Sequence, residues 1–196
     1  MAGKKLLEGV RILALEQLMV LPYGTAMLGD MGAEVIRVEH PDHIIDRRMG
    51  PWPDNNMNEQ WWNGQGGYAN WNRSKKSVCM DVFTPKGKEL FIELVKKSDI
   101  VVDNFRTGTT LRLGLDHDSL VKIKPDIITL TCNAFGSTGP YKAYGSRART
   151  IDSFCGLSYI TGYEGGASLR ASGNYMDHNG GLGNAYSLLL AIYHKR

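Results

Sequence analysis

The sequence has few cysteines, no long apolar run and no block of like charges, and each absence excludes a class of protein. Its three cysteines are far apart in 196 residues, a spacing that fits neither a disulfide framework nor a zinc site: Cys79, Cys132 and Cys155. No apolar run approaches the roughly 20 residues that a membrane-spanning helix requires, and the N-terminus lacks the apolar core of a signal peptide. We therefore expect a cytoplasmic protein with reduced, buried cysteines and no membrane segment.

The charged residues are balanced in sign and dispersed along the chain. They make up 22% of the sequence with a formal net charge of +3, and no Lys/Arg run suggests a nucleic-acid surface. The hydrophobic fraction of 42% is ordinary for a globular domain with its own core. His40 and His43 have no obvious third partner, so we predict no metal site. A small anionic ligand is compatible with this composition.

The N-terminal residues predict a parallel strand–helix–strand unit. Apolar residues 10–15 predict a buried strand, Pro22 fits the first turn of a helix over 23–31, and residues 33–39 predict a second strand. Such a unit has a right-handed crossover. The turn over residues 16–24 lacks the G-x-G-x-x-G that would cradle a pyrophosphate, which argues against a classical dinucleotide site.

The rest of the chain continues this alternation. Strands are predicted at 77–82, 99–103 and 127–131, and helices at 84–97, 109–113, 116–122, 151–160 and 182–193. The pattern is typical of an α/β fold, Rossmann-like, with a mostly parallel sheet and helices on both faces. Ligands of such sheets bind beyond the carboxyl ends of the strands, so we expect a site there.

Residues 41–73 interrupt the alternation with prolines and four tryptophans. Their length and composition predict a flap-like loop, which either covers a ligand or is a surface segment pinned to the core by its aromatic side chains. The same side chains suggest an aromatic or bulky acyl group, such as a benzylsuccinate-like acid, as one hypothesis for the substrate.

A single carboxylate, Asp177, lies in the glycine-bounded stretch 172–181. It has two interpretations. It could cap the helix that follows, or it could be a nucleophile presented to a bulky ligand where glycines permit a close approach. The local sequence leaves both open.

Several motifs together resemble the class III coenzyme A transferases, the carnitine-CoA transferase/bile-acid-inducible family. Residues 9–39 resemble the N-terminus of that family, and residues 72–81 resemble its N-R-G-K-R-S segment, with Ser74 where glycine is common. Residues 103–115 resemble its E-N-F-R-P-G … L-G-L, and residues 135–141 match its F-G-Q-T-G-P-Y. The motifs occur in the family's order from about residue 7 to the end.

The resemblance implies a mechanism and a set of site residues. Asp177 falls where the family has its catalytic aspartate, which forms an aspartyl anhydride and then an aspartyl-CoA thioester during CoA transfer from an acyl-CoA to a carboxylic acid. No tightly bound cofactor is implied, since coenzyme A enters as substrate. The resemblance implies these CoA contacts: Gln17 and Leu18 near the pantetheine and thioester; Asn104, Phe105 and Arg112 near the adenine and phosphates; Arg37, Asn72, Arg73 and Lys75 for positive charge or backbone contacts. Gly180 and Gly181 are candidate oxyanion donors.

Two alternatives accompany this prediction. The α-methylacyl-CoA racemases of the family pair the aspartate with a histidine in a G-H-D segment; here Gly145-Ser146-Arg147 stands in its place, and a guanidinium cannot act as the base. Full-length members are about twice as long and form interlocked dimers. Residues 1–196 are thus expected to be the N-terminal CoA-binding domain, with the catalytic-Asp helix over about 178–195. The chain would act as a homodimer, with a complementary C-terminal half, or as a non-catalytic CoA-binding subunit.

Overall fold

A computed structural model describes residues 3, 5–43, 45–48, 50–57, 59–170 and 173–196. Ser172, the first residue of the glycine-bounded stretch, lies outside this described part. The strands form one parallel sheet in the order β3-β2-β1-β4-β5. Their bounds are β1 (Arg11–Leu15), β2 (Glu34–Glu39), β3 (Lys75–Cys79), β4 (Ile100–Asp103) and β5 (Ile128–Thr131). The predicted Rossmann-like α/β architecture is confirmed, and the sheet is wholly parallel.

Helices cover both faces of this sheet, as predicted. The first, α1 (Val20–Asp30), connects β1 to β2, and the longest, α9 (Tyr175–Lys195), packs beside it. The others in the described part are α2 (Trp61–Gly64), α3 (Gly66–Trp71), α4 (Pro85–Val95), α5 (Thr109–Leu113), α6 (His117–Leu120), α7 (Ala148–Phe154) and α8 (Leu157–Ile160). Two 3-10 turns, Ile45–Arg47 and Pro53–Asn55, lie in the segment before α2.

The core has two layers because successive side chains of a strand point to opposite faces of the sheet. In β1, Ile12 and Ala14 pack with α1 and α9, whereas Leu13 and Leu15 pack with α4 and α6. Both sets are buried, which explains why residues 12–15 of β1 are all apolar instead of alternating with polar residues.

Glycines set the separation of α1 and α9. A Cβ added to Gly24 would lie 2.6 Å from the carbonyl oxygen of Gly181, and one added to Gly181 would lie 2.8 Å from the carbonyl oxygen of Val20. Backbone atoms cannot yield as a flexible side chain can, so the two helices approach this closely only without side chains at these positions. The first two turns of α1 and of α9 therefore lie side by side.

The predicted flap over residues 41–73 is not a plain loop, since it contains both 3-10 turns, α2 and α3. Its tryptophans are half-buried or, for Trp62, 42% exposed. Glu39 at the end of β2 ties this segment to the sheet, since it accepts hydrogen bonds from Arg47 at 2.6 Å and Tyr68 at 2.9 Å, and another from Ser77 of β3 at 2.6 Å. Although burial alone would raise the pKa of Glu39, these hydrogen bonds lower it to about 2.

Other expectations from the sequence were wrong in detail. The single helix predicted over 151–160 is two helices, because Gly156 has a left-handed φ of 83° between α7 and α8. Cys79 and Cys155 are exposed and Cys132 is half-buried, so the prediction of buried cysteines fails. Cys79 is exposed because it belongs to β3, an edge strand of the sheet.

Candidate active site

A pocket of about 350 Å³ lies beyond the carboxyl ends of the strands. From β1 the chain adds β2 and β3 on one side of the sheet, and then adds β4 and β5 on the other side of β1. The direction in which strands are added therefore reverses between β1 and β4. Open parallel sheets bind ligands at such a switch point. The pocket is lined by Leu15, Glu16, Gln17, Val38, His40, His43, Met80, Val82, Phe83, Phe105, Arg106, Thr109 and Arg112. Of the predicted CoA contacts, the structure brings together Gln17, Phe105 and Arg112.

Asn104 shapes this pocket without lining it. Its side-chain oxygen accepts a hydrogen bond from the backbone N–H of Gln17 at 2.9 Å, and its amide nitrogen donates to the Gln17 carbonyl at 2.7 Å. Leu18, which follows Gln17, has a φ of 60°. This left-handed backbone conformation costs free energy for a residue other than glycine. The loop after β1 is thus held in one defined shape by β4.

Aromatic and cationic side chains dominate one wall of the pocket. The rings of Phe83 and Phe105 are 6.2 Å apart, and the ring of His40 is 6.1 Å from Phe83. Arg106 and Arg112 lie on the same pocket, with Arg112 donating to Thr109 at 3.1 Å. His40, Phe83 and Arg106 were not predicted, although His40 and Arg106 follow β2 and β4 closely and the strand-end rule could have found them.

Four other predicted contacts lie away from the pocket. Arg37 is 3% exposed and pairs with Asp46, because its side chain points to the face of β2 that the segment after β2 covers. Arg73 pairs with Asp30 at 2.7 Å on the surface, and Asn72 donates to the carbonyl of Tyr68 at 3.0 Å. The fourth, Lys75, is buried beneath the loop after β1. None of these four lines the described pocket.

Asp177 lies in the first turn of α9, which begins at Tyr175 and not after Asp177 as predicted. The carbonyl oxygen of Asn174 accepts hydrogen bonds from the backbone N–H groups of Asp177 and His178, at 3.0 and 3.2 Å. These bonds start the helix early, and its N-cap residue is Asn174. The N-cap interpretation of Asp177 is therefore wrong.

The surroundings of Asp177 are partly apolar and place it next to the loop after β1. Asn174 contacts the sulfur of Met19 at 3.5 Å, and the rings of Tyr23 and His178 are 5.0 Å apart. Burial raises the pKa of Asp177; the charge of His178 opposes this and the carboxylate of Asp152 adds to it. A desolvated carboxylate is a better nucleophile than a hydrated one, provided that it is ionised.

Gly180 and Gly181 have a packing function. They lie inside α9, where backbone N–H groups bond within the helix, and both face α1. The predicted oxyanion donors thus have no free N–H group in this arrangement.

In the described part of the chain, no three or more His, Cys, Asp or Glu residues are grouped so that they could hold a metal ion. Nor does any helix described there have the length and apolar character needed to cross a membrane.

The sequence profile of CoA-transferase family III matches residues 7–196. The chain belongs to this family. It is 34% identical over 193 residues to the alpha subunit of succinyl-CoA–L-malate CoA-transferase from Chloroflexus aurantiacus, covering 96% of this chain and 43% of that protein. It is also 34% identical over 187 residues to human succinyl-CoA:glutarate CoA-transferase, covering 95% and 41% of the two chains.

A solved structure supports the same assignment. The crystal structure of a CAIB/BAIF family protein from Brucella suis superimposes with a TM-score of 0.89 at 28% identity, covering 98% of this chain and 50% of that one. The chain therefore spans about half the length of the family members that it matches. Because this family transfers coenzyme A, its members use CoA thioesters as substrates.

Proposed function

We propose that the chain is the CoA-binding and nucleophile-bearing half of a transferase that moves coenzyme A from an acyl-CoA to a carboxylic acid. The observation that carries the proposal is the position of Asp177. It is half-buried in the first turn of α9, where Asn174 contacts Met19 of the loop after β1, and Gln17 of that loop lines the strand-end pocket. A ligand that fills the pocket and follows this loop would present its reactive end to Asp177.

The proposed reaction begins with attack of the Asp177 carboxylate on the thioester carbonyl. The carbon–sulfur bond breaks, CoA leaves as a thiolate, and a mixed anhydride forms. The thiolate then attacks the aspartyl carbonyl, which yields an aspartyl-CoA thioester and releases the donor carboxylate. An acceptor carboxylate reverses both steps and leaves as its CoA ester, restoring Asp177. A carboxylate is a weak nucleophile, so positioning must supply much of the rate.

The strand-end pocket suits the nucleotide end of coenzyme A. Its aromatic wall of Phe83, Phe105 and His40 offers a surface for a base, and Arg106 and Arg112 offer charge for phosphates. The pocket volume of about 350 Å³ holds only part of such a ligand, so the pantetheine arm would extend along Gln17 and Leu18. In this assignment the nucleotide end of coenzyme A lies near Phe105 and Arg112 and the pantetheine near Gln17 and Leu18, as the resemblance implied. His40 and Arg106 take the place of Arg37 and Lys75 as the additional contacts.

The remaining half of the transferase is proposed to cover the outer face of α7, α8 and α9. These helices and the turn after α8 expose large apolar side chains: Phe154, Tyr159, Ile160, Tyr163, Tyr186, Leu190 and Tyr193. Large exposed apolar patches are typical of interfaces. Two of the similar Chloroflexus proteins are named as alpha and beta subunits of one enzyme, which supports a homodimer or a complementary chain as partner.

Succinate, malate and glutarate occur in the names of the similar transferases, which makes short dicarboxylic acids the first substrates to test. A preference for aromatic acids would instead support the substrate hypothesis drawn from the tryptophan-rich segment. Racemisation has less support, since the segment Gly145-Ser146-Arg147 before α7 has no histidine where the racemases have G-H-D.

Trapping of an acyl-enzyme tests the proposal. The protein is incubated with succinyl-CoA, treated with hydroxylamine or borohydride, and mapped by mass spectrometry beside Asp177→Ala and the control Asp118→Asn, an exposed carboxylate of α6. We expect modification of Asp177 in the wild type and the control. CoA binding without modification would indicate a non-catalytic CoA-binding subunit and would refute the nucleophile.

A further inference from the structure

Beneath the loop after β1 lies a buried ion pair, one partner of which, Glu16, also lines the strand-end pocket. Lys75 on β3 contacts Glu16 at 2.5 Å, and their side chains are 2% and 0% exposed. They are 59 residues apart in the sequence. Burying two charges is costly unless every remaining hydrogen-bonding group also finds a partner.

Here every such group is satisfied. The Lys75 ammonium donates to Glu16, to the carbonyl of Pro22 at 2.8 Å and to the side-chain oxygen of Asn72 at 3.2 Å. The second oxygen of Glu16 accepts a hydrogen bond from the Thr25 hydroxyl at 2.7 Å. A fully satisfied buried network of this kind is rigid, since any displacement leaves a charge without a partner.

The hydrogen bonds of Lys75 hold the loop after β1 against the sheet. Glu16 opens the loop and Pro22 lies in α1 just after it, so Lys75 binds both ends of the turn that contains Gln17 and Leu18. Asn104 holds the opposite side of the same turn through the Gln17 backbone. The strained φ of 60° at Leu18 requires such support from its surroundings.

We propose that Glu16 and Lys75 are positioning residues that fix this turn between the strand-end pocket and Asp177. This inference rests on the proposed function, because the turn is the path from the pocket to the nucleophile. Lys75 then acts on the loop from beneath and does not touch the substrate. Its effect on catalysis comes through Gln17 and Leu18.

The matched control is the next residue of the same strand. Lys76 also forms an ion pair, with Glu34 at 2.6 Å, but its side chain is 71% exposed and lies away from the loop. Lys75→Met and Lys76→Met therefore remove the same charge from the same strand in two environments. The double variant Glu16→Gln/Lys75→Met removes both buried charges together, which avoids an unpaired carboxylate if Lys75→Met does not fold.

The experiment measures the rate constant of Asp177 acylation at saturating succinyl-CoA and the concentration that gives half that rate. Both are measured well below the unfolding temperature of each variant. Misplacement by about an ångström costs on the order of 100-fold in rate, so we expect a 10- to 100-fold lower rate constant in Lys75→Met and the double variant. Lys76→Met should match the wild type.

Hydrogen exchange of the amides of residues 16–19 provides a readout that needs no substrate. Faster exchange in Lys75→Met and the double variant, with β1 and β4 protected as in the wild type, would support positioning. Reduced thermal stability with an unchanged rate constant and unchanged exchange would overturn it, as this would show a purely structural pair. No acylation of the wild type would refute the proposed function, and the exchange experiment would still decide this inference.

Discussion

Adding one methyl group to Gly181 tests whether close packing of α1 against α9 sets the position of the nucleophile. A Cβ at this position would lie 2.8 Å from the Val20 carbonyl oxygen and 2.8 Å from Cδ1 of Tyr23. Gly183 lies half a turn further on the same helix, and a Cβ there meets no atom within 4 Å. Gly181→Ala and Gly183→Ala therefore add the same methyl group to one helix. At position 181 the methyl group meets atoms of α1, and at position 183 it meets none.

The two variants are expected to change the free energy of unfolding in opposite directions. Replacing a helical glycine by alanine in open space stabilises by about 0.5–1 kcal/mol, which is the expectation for Gly183→Ala. Gly181→Ala has the same gain, but overpacking costs about 1–3 kcal/mol because the contact is with backbone. For a chain of this size about 1 kcal/mol shifts the melting temperature by about 2–4 °C, so a middle value of 2 kcal/mol separates the two variants by about 4–8 °C.

Thermal unfolding followed by circular dichroism measures this separation. Equal melting temperatures for the two variants would show that α1 and α9 are not in close contact at Gly181, and the reasoning would be refuted. Because Asp177 lies about one turn before Gly181, the structure also predicts slower acylation for Gly181→Ala and normal acylation for Gly183→Ala.

Three further predictions follow from individual groups. Because the pKa of Glu39 falls from 4.5 to about 2 on folding, its contribution to stability is complete above pH 4.5 and is lost as the pH falls toward 2; Glu39→Gln should remove that part of the acid dependence in urea unfolding. Asp152 raises the pKa of Asp177, so Asp152→Asn should move the pH profile of acylation toward lower pH, and an unchanged profile would contradict the coupling. Thr84 caps α4 by accepting a hydrogen bond from the N–H of Gly87 at 3.1 Å, so Thr84→Ala should cost about 1 kcal/mol in chemical denaturation.

Local patterns in the sequence were sufficient to predict the strands of the sheet and the region of the site. The apolar runs of β1, β2 and β4 are long and bounded by polar or turn residues, so periodicity and composition suffice to find them. Parallel strands place their carboxyl ends at one edge, which predicted the region of the site, and the resemblance supplied Gln17, Phe105 and Arg112, which line the pocket there. The place of Asp177 within α9 could not be predicted from its motif.

Only the tertiary structure decided which charged residues are buried and what they do there. The resemblance assigned Lys75 and Arg37 to contacts with coenzyme A, whereas the structure buries both side chains in ion pairs. Their partners, Glu16 and Asp46, come from a different strand end and from the segment after β2, and only the folded sheet brings them together. The packing of Gly181 likewise depends on a distant part of the chain, since its contacts are with Val20 and Tyr23 of α1. Local sequence specifies local conformation. The free energy of burying a charge or a polar backbone group depends instead on its contacts with residues far away in the sequence.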